Sequence, residues 1–206
     1  MAGKKRSVKP DEHAVRERLL QSALDIFNER GYAATSVREI VGAAGVTKPS
    51  LYYYFGSKEG IYTELMRGPF KALENILVET AHEKLSARER MLRLFDRIFL
   101  LFIDNLKAAR LMYSIYYGPP QGAPFIDFEG YHLKVKEVTG MIARDGIKKG
   151  EIRAVNADTL TCVLIGALNF ALEEQLCHRS PMVDKKGLSG MLALVFDGLA
   201  SSKGKR

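Results

Sequence analysis

Six side chains stand out as possible carriers of chemistry in this 206-residue chain, four histidines and two cysteines. His13, His82, His132 and His178 are scattered, and Cys177-His178 is an isolated pair. No metal-ligand spacing arises, and that pair reads as structural. Cys162 and Cys177 lie 15 residues apart on what reads as one helix. At about 1.5 Å per residue that separates them by about 22 Å, too far for a disulfide. No nucleophile elbow, phosphate-binding glycine loop or dinucleotide fingerprint occurs, and Ser/His/Asp sets can be assembled only by arbitrary choice. No enzyme, no metal and no cofactor is therefore expected. What remains is a dense run from Thr35 to Lys58. Its short hydroxyls, spaced cations and three successive tyrosines are hydrogen-bonding groups rather than a set that breaks bonds.

The elements that must position this run read as helices, and strand alternation is almost absent. Val15, Leu19, Ala23 and Phe27 mark a first amphipathic helix over about 11–30, with Gly31 as its C′ residue. Ser36-Val37-Arg38-Glu39 is a capping box that opens a helix with Val37, Ile40, Val41 and Ala44 inward. Gly45 breaks it. Thr47 is read as a second N-cap, with Pro49 tolerated in the first turn of a helix running to about Tyr54. Ser57 caps the next, and Gly68-Pro69 predicts a kink in it. Longer helices follow over about 86–106, 109–117, 125–149, 157–176 and 185–200, with the loop Gly118-Pro119-Pro120-Gln121-Gly122-Ala123-Pro124 between the second and third of these. The fold class is all-α with about nine helices. The segments expected are a basic tail (1–10), a three-helix unit (11–56), a longer helical region (57–200) and a second basic tail (201–206).

Charge sharpens this. The net charge is +7. Lys4, Lys5, Arg6, Lys9, Lys203, Lys205 and Arg206 supply all of it: removing these seven from 31 Lys plus Arg leaves 24 cations against 24 acids. Residues 11–60 hold six cations and seven acids. Bulk charge in the folded part cannot then drive DNA affinity, so helix N-termini, hydroxyls and a few placed cations must. The first tail is either an arm that orders along phosphate or in a minor groove, or a solvated terminus without function. With 47% hydrophobic and 27% charged residues, the chain can bury a core, which excludes collagenous, disulfide-stapled and mainly disordered classes. Charge interrupts every apolar run before the roughly 18–20 residues of a membrane span, and the N-terminus lacks the apolar stretch of a signal peptide. A cytoplasmic protein is expected.

Two short capped helices joined by Ala44-Gly45-Val46 have the spacing of a helix-turn-helix. The stretches Gly31-Tyr32-Ala33-Ala34-Thr35-Ser36-Val37-Arg38-Glu39-Ile40, Ala44-Gly45-Val46 and Leu51-Tyr52-Tyr53-Tyr54-Phe55-Gly56-Ser57-Lys58-Glu59 resemble the DNA-binding domain of TetR-family transcriptional regulators over about residues 13–65. Lys149-Gly150-Glu151-Ile152-Arg153 is similar, more weakly, to that family's C-terminal region. The resemblance implies an all-helical homodimer that represses transcription at a palindromic operator and leaves it when a small molecule enters the C-terminal domain. It implies base or groove contacts from Lys48, Pro49, Ser50 and Tyr53, and phosphate contacts from Thr35, Tyr52, Tyr54 and Lys58. A lysine at 48 can donate to guanine O6 and N7, or it can be a solvated cation against phosphate. Leu51 and Phe55 read as core.

Nine of the 19 aromatics fall between Phe95 and Tyr131. By resemblance, Phe95, Phe99, Phe102, Tyr113, Tyr116, Tyr117, Phe128 and Tyr131 would line a mainly apolar effector pocket. The alternative is that they are core, since spacings of three and four are what any buried helix shows. Leu160, Val163, Leu164, Ala167 and Leu168, with Leu188, Met191, Leu192 and Val195, give two helices more apolar surface than one monomer requires, which fits a four-helix dimer interface. The partners expected are double-stranded DNA, a second copy of the chain and a small molecule, with no membrane. The competing reading is a helical architectural DNA-binding protein, or an activator, without an effector.

Overall fold

Side-chain caps set where several helices begin. The computed structural model describes residues 10–198, and these form nine α-helices and no strand. They are α1 (Pro10–Arg30), α2 (Val37–Ala44), α3 (Lys48–Phe55), α4 (Lys58–His82), α5 (Ala87–Asp104), α6 (Leu106–Tyr116), α7 (Phe128–Lys148), α8 (Ala157–Cys177) and α9 (Lys185–Gly198). Ser36 and Ser86 each close a full capping box, with Glu39 and Glu89 respectively. Asp127 takes the amide of Gly130 at 2.9 Å, so α7 starts at Phe128 rather than at Phe125. Thr47 occupies the N-cap position of α3 without making a side-chain cap; its hydroxyl meets that of Ser50 at 3.1 Å instead. α4 runs on through Pro69 to His82. The expected basic tails fall on residues outside those described.

The chain divides into two units. One holds the described residues up to Gly68 together with Lys107–Ile126; the other holds Pro69–Leu106 and the described residues from Asp127 onward. In the first, α1 packs on α2 and α3, and α2 on α3. Leu19, Ala23, Ile40, Leu51, Ile61 and Tyr62 are fully buried. The Tyr32 ring lies 5.3 Å from that of Phe27 and 5.2 Å from that of Tyr62, centroid to centroid, giving a small aromatic core in a chain without Trp. Segment 107–126 is tied to α1 by polar contacts: Lys107 Nζ meets Asp25 at 2.5 Å, and Asn28 Nδ2 donates to the Lys107 carbonyl at 3.0 Å.

In the second unit α5 packs against α7, α8 and α9, α7 against α8, and α8 against α9. Met91, Leu94, Phe95, Ile142, Ala143, Leu164 and Ala171 have no exposed surface. Gly146 lets α7 approach closely, since a Cβ there would lie 2.5 Å from that of Ala87. Buried Arg90 donates to the carbonyls of Thr80 and Ala81 at the end of α4 and pairs with Asp145 at 3.1 Å. It satisfies acceptors that a helix C-terminus leaves open. Glu151 accepts the amide of Ala87 at 2.5 Å, and Ile152 is buried. The Lys149–Arg153 stretch thus seals the start of α5. By length and composition α8 could cross a membrane, which corrects the sequence reading that no run qualified. Its Leu160, Leu164, Leu168 and Leu172 are buried in this unit's core, as expected of a core helix.

Candidate nucleic-acid interface

α2 and α3 are joined by Gly45 in the left-handed region at φ 64, where its N–H reaches Gly42 O and that of Val46 reaches Val41 O. A side chain with a Cβ rarely takes this conformation, so the glycine permits the turn. α2 buries Ile40, Val41 and Ala44. α3 buries Leu51 alone, with Phe55 half-buried beneath the Arg16 guanidinium at 5.6 Å. Leu51 and Phe55, four apart, face inward. Lys48, Pro49, Tyr52 and Tyr53 are left on the outside, and Tyr53 is 68% exposed. An eight-residue helix is too short to be stable alone, so Leu51 and the turn must fix its orientation.

The expected base-contacting residues divide. Lys48, Pro49 and Tyr53 lie together on the exposed face, whereas Ser50 is half-buried and shares its hydroxyl with Thr47. The expected phosphate-contacting residues divide too. Tyr52 is exposed, and half-buried Tyr54 sets its ring edge-on to Tyr53 at 4.9 Å. Thr35 and Lys58 are instead engaged within the chain. Thr35 is 2% exposed and its hydroxyl donates to the Gly31 carbonyl at 2.7 Å. Lys58 Nζ donates to the carbonyls of Tyr32 at 3.0 Å and Thr35 at 2.9 Å, lying over the Tyr32 ring. The turn between α1 and α2 has carbonyls with no helical partner, and Lys58 at the start of α4 satisfies two of them. A cation to which the sequence reading gave no contact role is Arg38, exposed in the first turn of α2. Its place opposite Ile40, Val41 and Ala44 was the available signal.

Electrostatics reinforce the motif's geometry. The Glu39 carboxyl is held below its usual range by the Ser36 amide and hydroxyl and by Arg30, which pairs with it at 2.8 Å. Burial, with the Glu59 carboxylate nearby, pushes the Tyr32 phenol up to about 12, and burial alone does the same for Tyr62. Both phenols stay neutral near pH 7.

The remaining expected sites lie in one unit or the other. Phe95 and Phe99 are buried in the core and Phe102 packs against it, the alternative that the sequence left open for them. Phe128 and Tyr131 flank Phe70, with the Phe70 and Tyr131 rings stacked at 4.1 Å. Tyr113, Tyr116 and Tyr117 belong to the first unit, where Tyr117 is 75% exposed. None of the eight lines the groove of about 610 Å³ that runs between α4 and α7 over Leu77, Val78 and Val138. On α8 and α9, Leu160, Leu164, Leu168, Leu188 and Leu192 are buried within the chain's own core. Val163 is exposed, and Ala167, Met191 and Val195 are half-buried. Phe170 and Leu194, which the sequence reading passed over, are exposed on the same two helices.

Residues 19–65 match the family model for bacterial regulatory proteins of the tetR family. Over 96 residues the chain is 38% identical to the uncharacterized HTH-type transcriptional regulator YdgC of Bacillus subtilis, covering 45% of this chain and 49% of that one. Over 53 residues it is 49% identical to the HTH-type transcriptional repressor KstR2 of Rhodococcus jostii, covering 26% of each. The chain thus spans about half, or less, of the length of these relatives. The fold is similar to that of the ketosteroid transcriptional regulator KstR2 of Mycobacterium tuberculosis, with a TM-score of 0.71 at 23% identity, covering 98% of this chain and 99% of that one.

Proposed function

The chain belongs to the tetR family of bacterial regulatory proteins, and from that premise we propose that it is a cytoplasmic repressor that binds a palindromic operator as a homodimer and leaves it when a small molecule binds. The observation that carries the DNA-binding reading is the outer face of α3, where Lys48, Pro49, Tyr52 and Tyr53 lie outside while Leu51 anchors the helix. A face of this kind fits the major groove, with Lys48 placed to donate to a base edge and Tyr52 and Arg38 to phosphate. The second copy is inferred to cover Val163, Gly166 and Phe170 of α8 and Leu194 of α9, an exposed apolar set at helical spacing. The effector is a small molecule, and the α4–α7 groove has a volume within the range of small-molecule sites.

Operator selection from a random duplex pool, followed by a small-molecule release screen, tests the reading. The expected product is a palindrome with half-sites about one helical turn, or a multiple of it, apart. Lys48→Ala is expected to relax preference at one base position, with a loss of about 1–3 kcal/mol there. Equal affinity for random duplex and for the selected palindrome, or a species of 23.0 kDa in sedimentation at micromolar concentration, would sink it.

A further inference from the structure

The start of the helix-turn-helix depends on one residue whose amide finds no acceptor nearby. α1 ends at Arg30, and Gly31 turns the chain at φ 80 with its own N–H on the Phe27 carbonyl at 2.9 Å. An ending of this kind leaves the next amide, that of Tyr32, to be satisfied from elsewhere. The acceptor is Oε1 of Gln121, 2.8 Å away and 89 positions further along the chain. Gln121 is half-buried in the loop after α6, and a Cβ on Gly31 would stand 2.7 Å from the same oxygen. Glycine at 31 therefore serves both the turn and the approach of the glutamine.

Tyr32 is tied three ways within this unit. Its amide is held by Gln121, its ring packs between Phe27 and Tyr62, and its carbonyl receives Lys58 Nζ. Four residues later Ser36 caps α2. The position of that cap, and through it the placement of α2 and α3, follows from where the turn is pinned. Segment 107–126 is itself anchored on α1 through Lys107 with Asp25 and Asn28, so Gln121 does not hang from a free loop.

We propose that Gln121 is a positioning residue for DNA binding: it holds the α1–α2 turn through the Tyr32 amide and touches no nucleotide itself. The inference rests on the DNA-binding reading above. It assigns a role in operator affinity to a side chain more than 50 residues beyond the matched motif, which ends at residue 65.

The test compares Gln121→Leu, which keeps the size and removes the acceptor, with Gln121→Glu, which keeps an acceptor oxygen at the same reach. The full-length variants are titrated by fluorescence anisotropy with the palindrome that the wild-type chain selects, across a salt series. Leaving a buried amide unsatisfied makes the expected rise in Kd for Gln121→Leu about tenfold at every salt concentration. The slope of log K against log salt stays unchanged, and Gln121→Glu stays within about twofold of wild type. Wild-type affinity in Gln121→Leu, or a Glu variant as weak as the Leu variant, overturns the proposal. So does a slope reduced by about one unit, because it would mean a direct phosphate contact. Amide exchange of Tyr32 by NMR is the second readout. It is expected to quicken at least about tenfold in Gln121→Leu and to stay slow in Gln121→Glu. Equal exchange in wild type and Gln121→Leu overturns the proposal whatever the DNA result. If the wild-type chain selects no palindrome, the DNA-binding reading has failed and Gln121 has no operator affinity to support. A chain that selects one but is indifferent to Gln121→Leu fails the proposal alone.

Discussion

The two units are stabilised by different means. The second unit buries a continuous aliphatic and aromatic set from α4, α5, α7, α8 and α9, and its main buried charge, Arg90, is surrounded by carbonyls and Asp145. The first unit has a smaller core around Leu19, Phe27, Ile40, Leu51 and Tyr62, and closes its edges with single polar ties: the Ser36–Glu39 box, Lys58 on two carbonyls, and Gln121 on the Tyr32 amide. Apolar burial is nondirectional, so it fixes compactness more than angle. Hydrogen bonds fix angle. The contrast implies that a substitution in the second unit registers chiefly as lost stability, whereas one at a polar tie of the first costs less stability and also alters the presentation of α3.

The largest effect is expected where the contrast says apolar burial dominates. Leu164→Ala, at a site with no exposure, should cost about 3–4 kcal/mol in chemical denaturation followed by circular dichroism. A cost under about 1 kcal/mol would mean that this core is loosely packed. Next comes Lys58→Met, with an expected loss of about 1–2 kcal/mol as two carbonyls lose a charged donor. The slope of log K against log salt for operator binding should stay unchanged; a drop of about one unit would restore the phosphate role and blur the contrast.

Ser36→Ala should cost about 1 kcal/mol. The cap also has a pH signature. The Glu39 carboxyl is lowered from 4.5 in the fold, so its contribution is present above the unfolded value and disappears as pH falls through the folded one. Glu39→Gln should flatten that acid limb of stability, measured as denaturation midpoint against pH. The smallest effect is that of Tyr62→Phe, which removes a buried hydroxyl without a hydrogen-bond partner and should be neutral, or stabilising by up to about 1 kcal/mol. Because Tyr62 titrates at about 12 folded against 10.0 unfolded, its contribution is whole below pH 10 and is lost as pH rises toward 12. The phenylalanine variant should therefore show a shallower alkaline decline over that window, and an identical decline would mean that Tyr62 does not titrate late.

Features that depend on near neighbours were legible in the sequence. The Ser36 and Ser86 boxes, the glycine hinge at 45 and the inward Leu51 follow from spacings of three and four. Competition between neighbours obscured Thr47, because Ser50 offers its hydroxyl a partner at the same distance along the chain as the cap. Periodicity shows that α8 is apolar over a wide arc without showing which side faces in. Leu160, Leu164 and Leu168 were therefore grouped with Val163, although only the valine is exposed, and Phe170 was overlooked. Lys58 and Gln121 were illegible for a different reason. Their partners lie 26 and 89 residues away, and nothing in a lysine or a glutamine says which distant carbonyl or amide it will meet.

The Gln121 contact also bears on portability. Residues 19–65 hold all that the family model matches, which makes them look like a cassette that could be fused to any helical body to make a hybrid regulator. A graft cut after Gly68 would carry α3 but leave behind the side chain that completes Tyr32, and it would bring a buried amide with no acceptor into its new host. The unit that can be transplanted is therefore discontinuous, and a chimera that respects it must bring Lys107–Ile126 along.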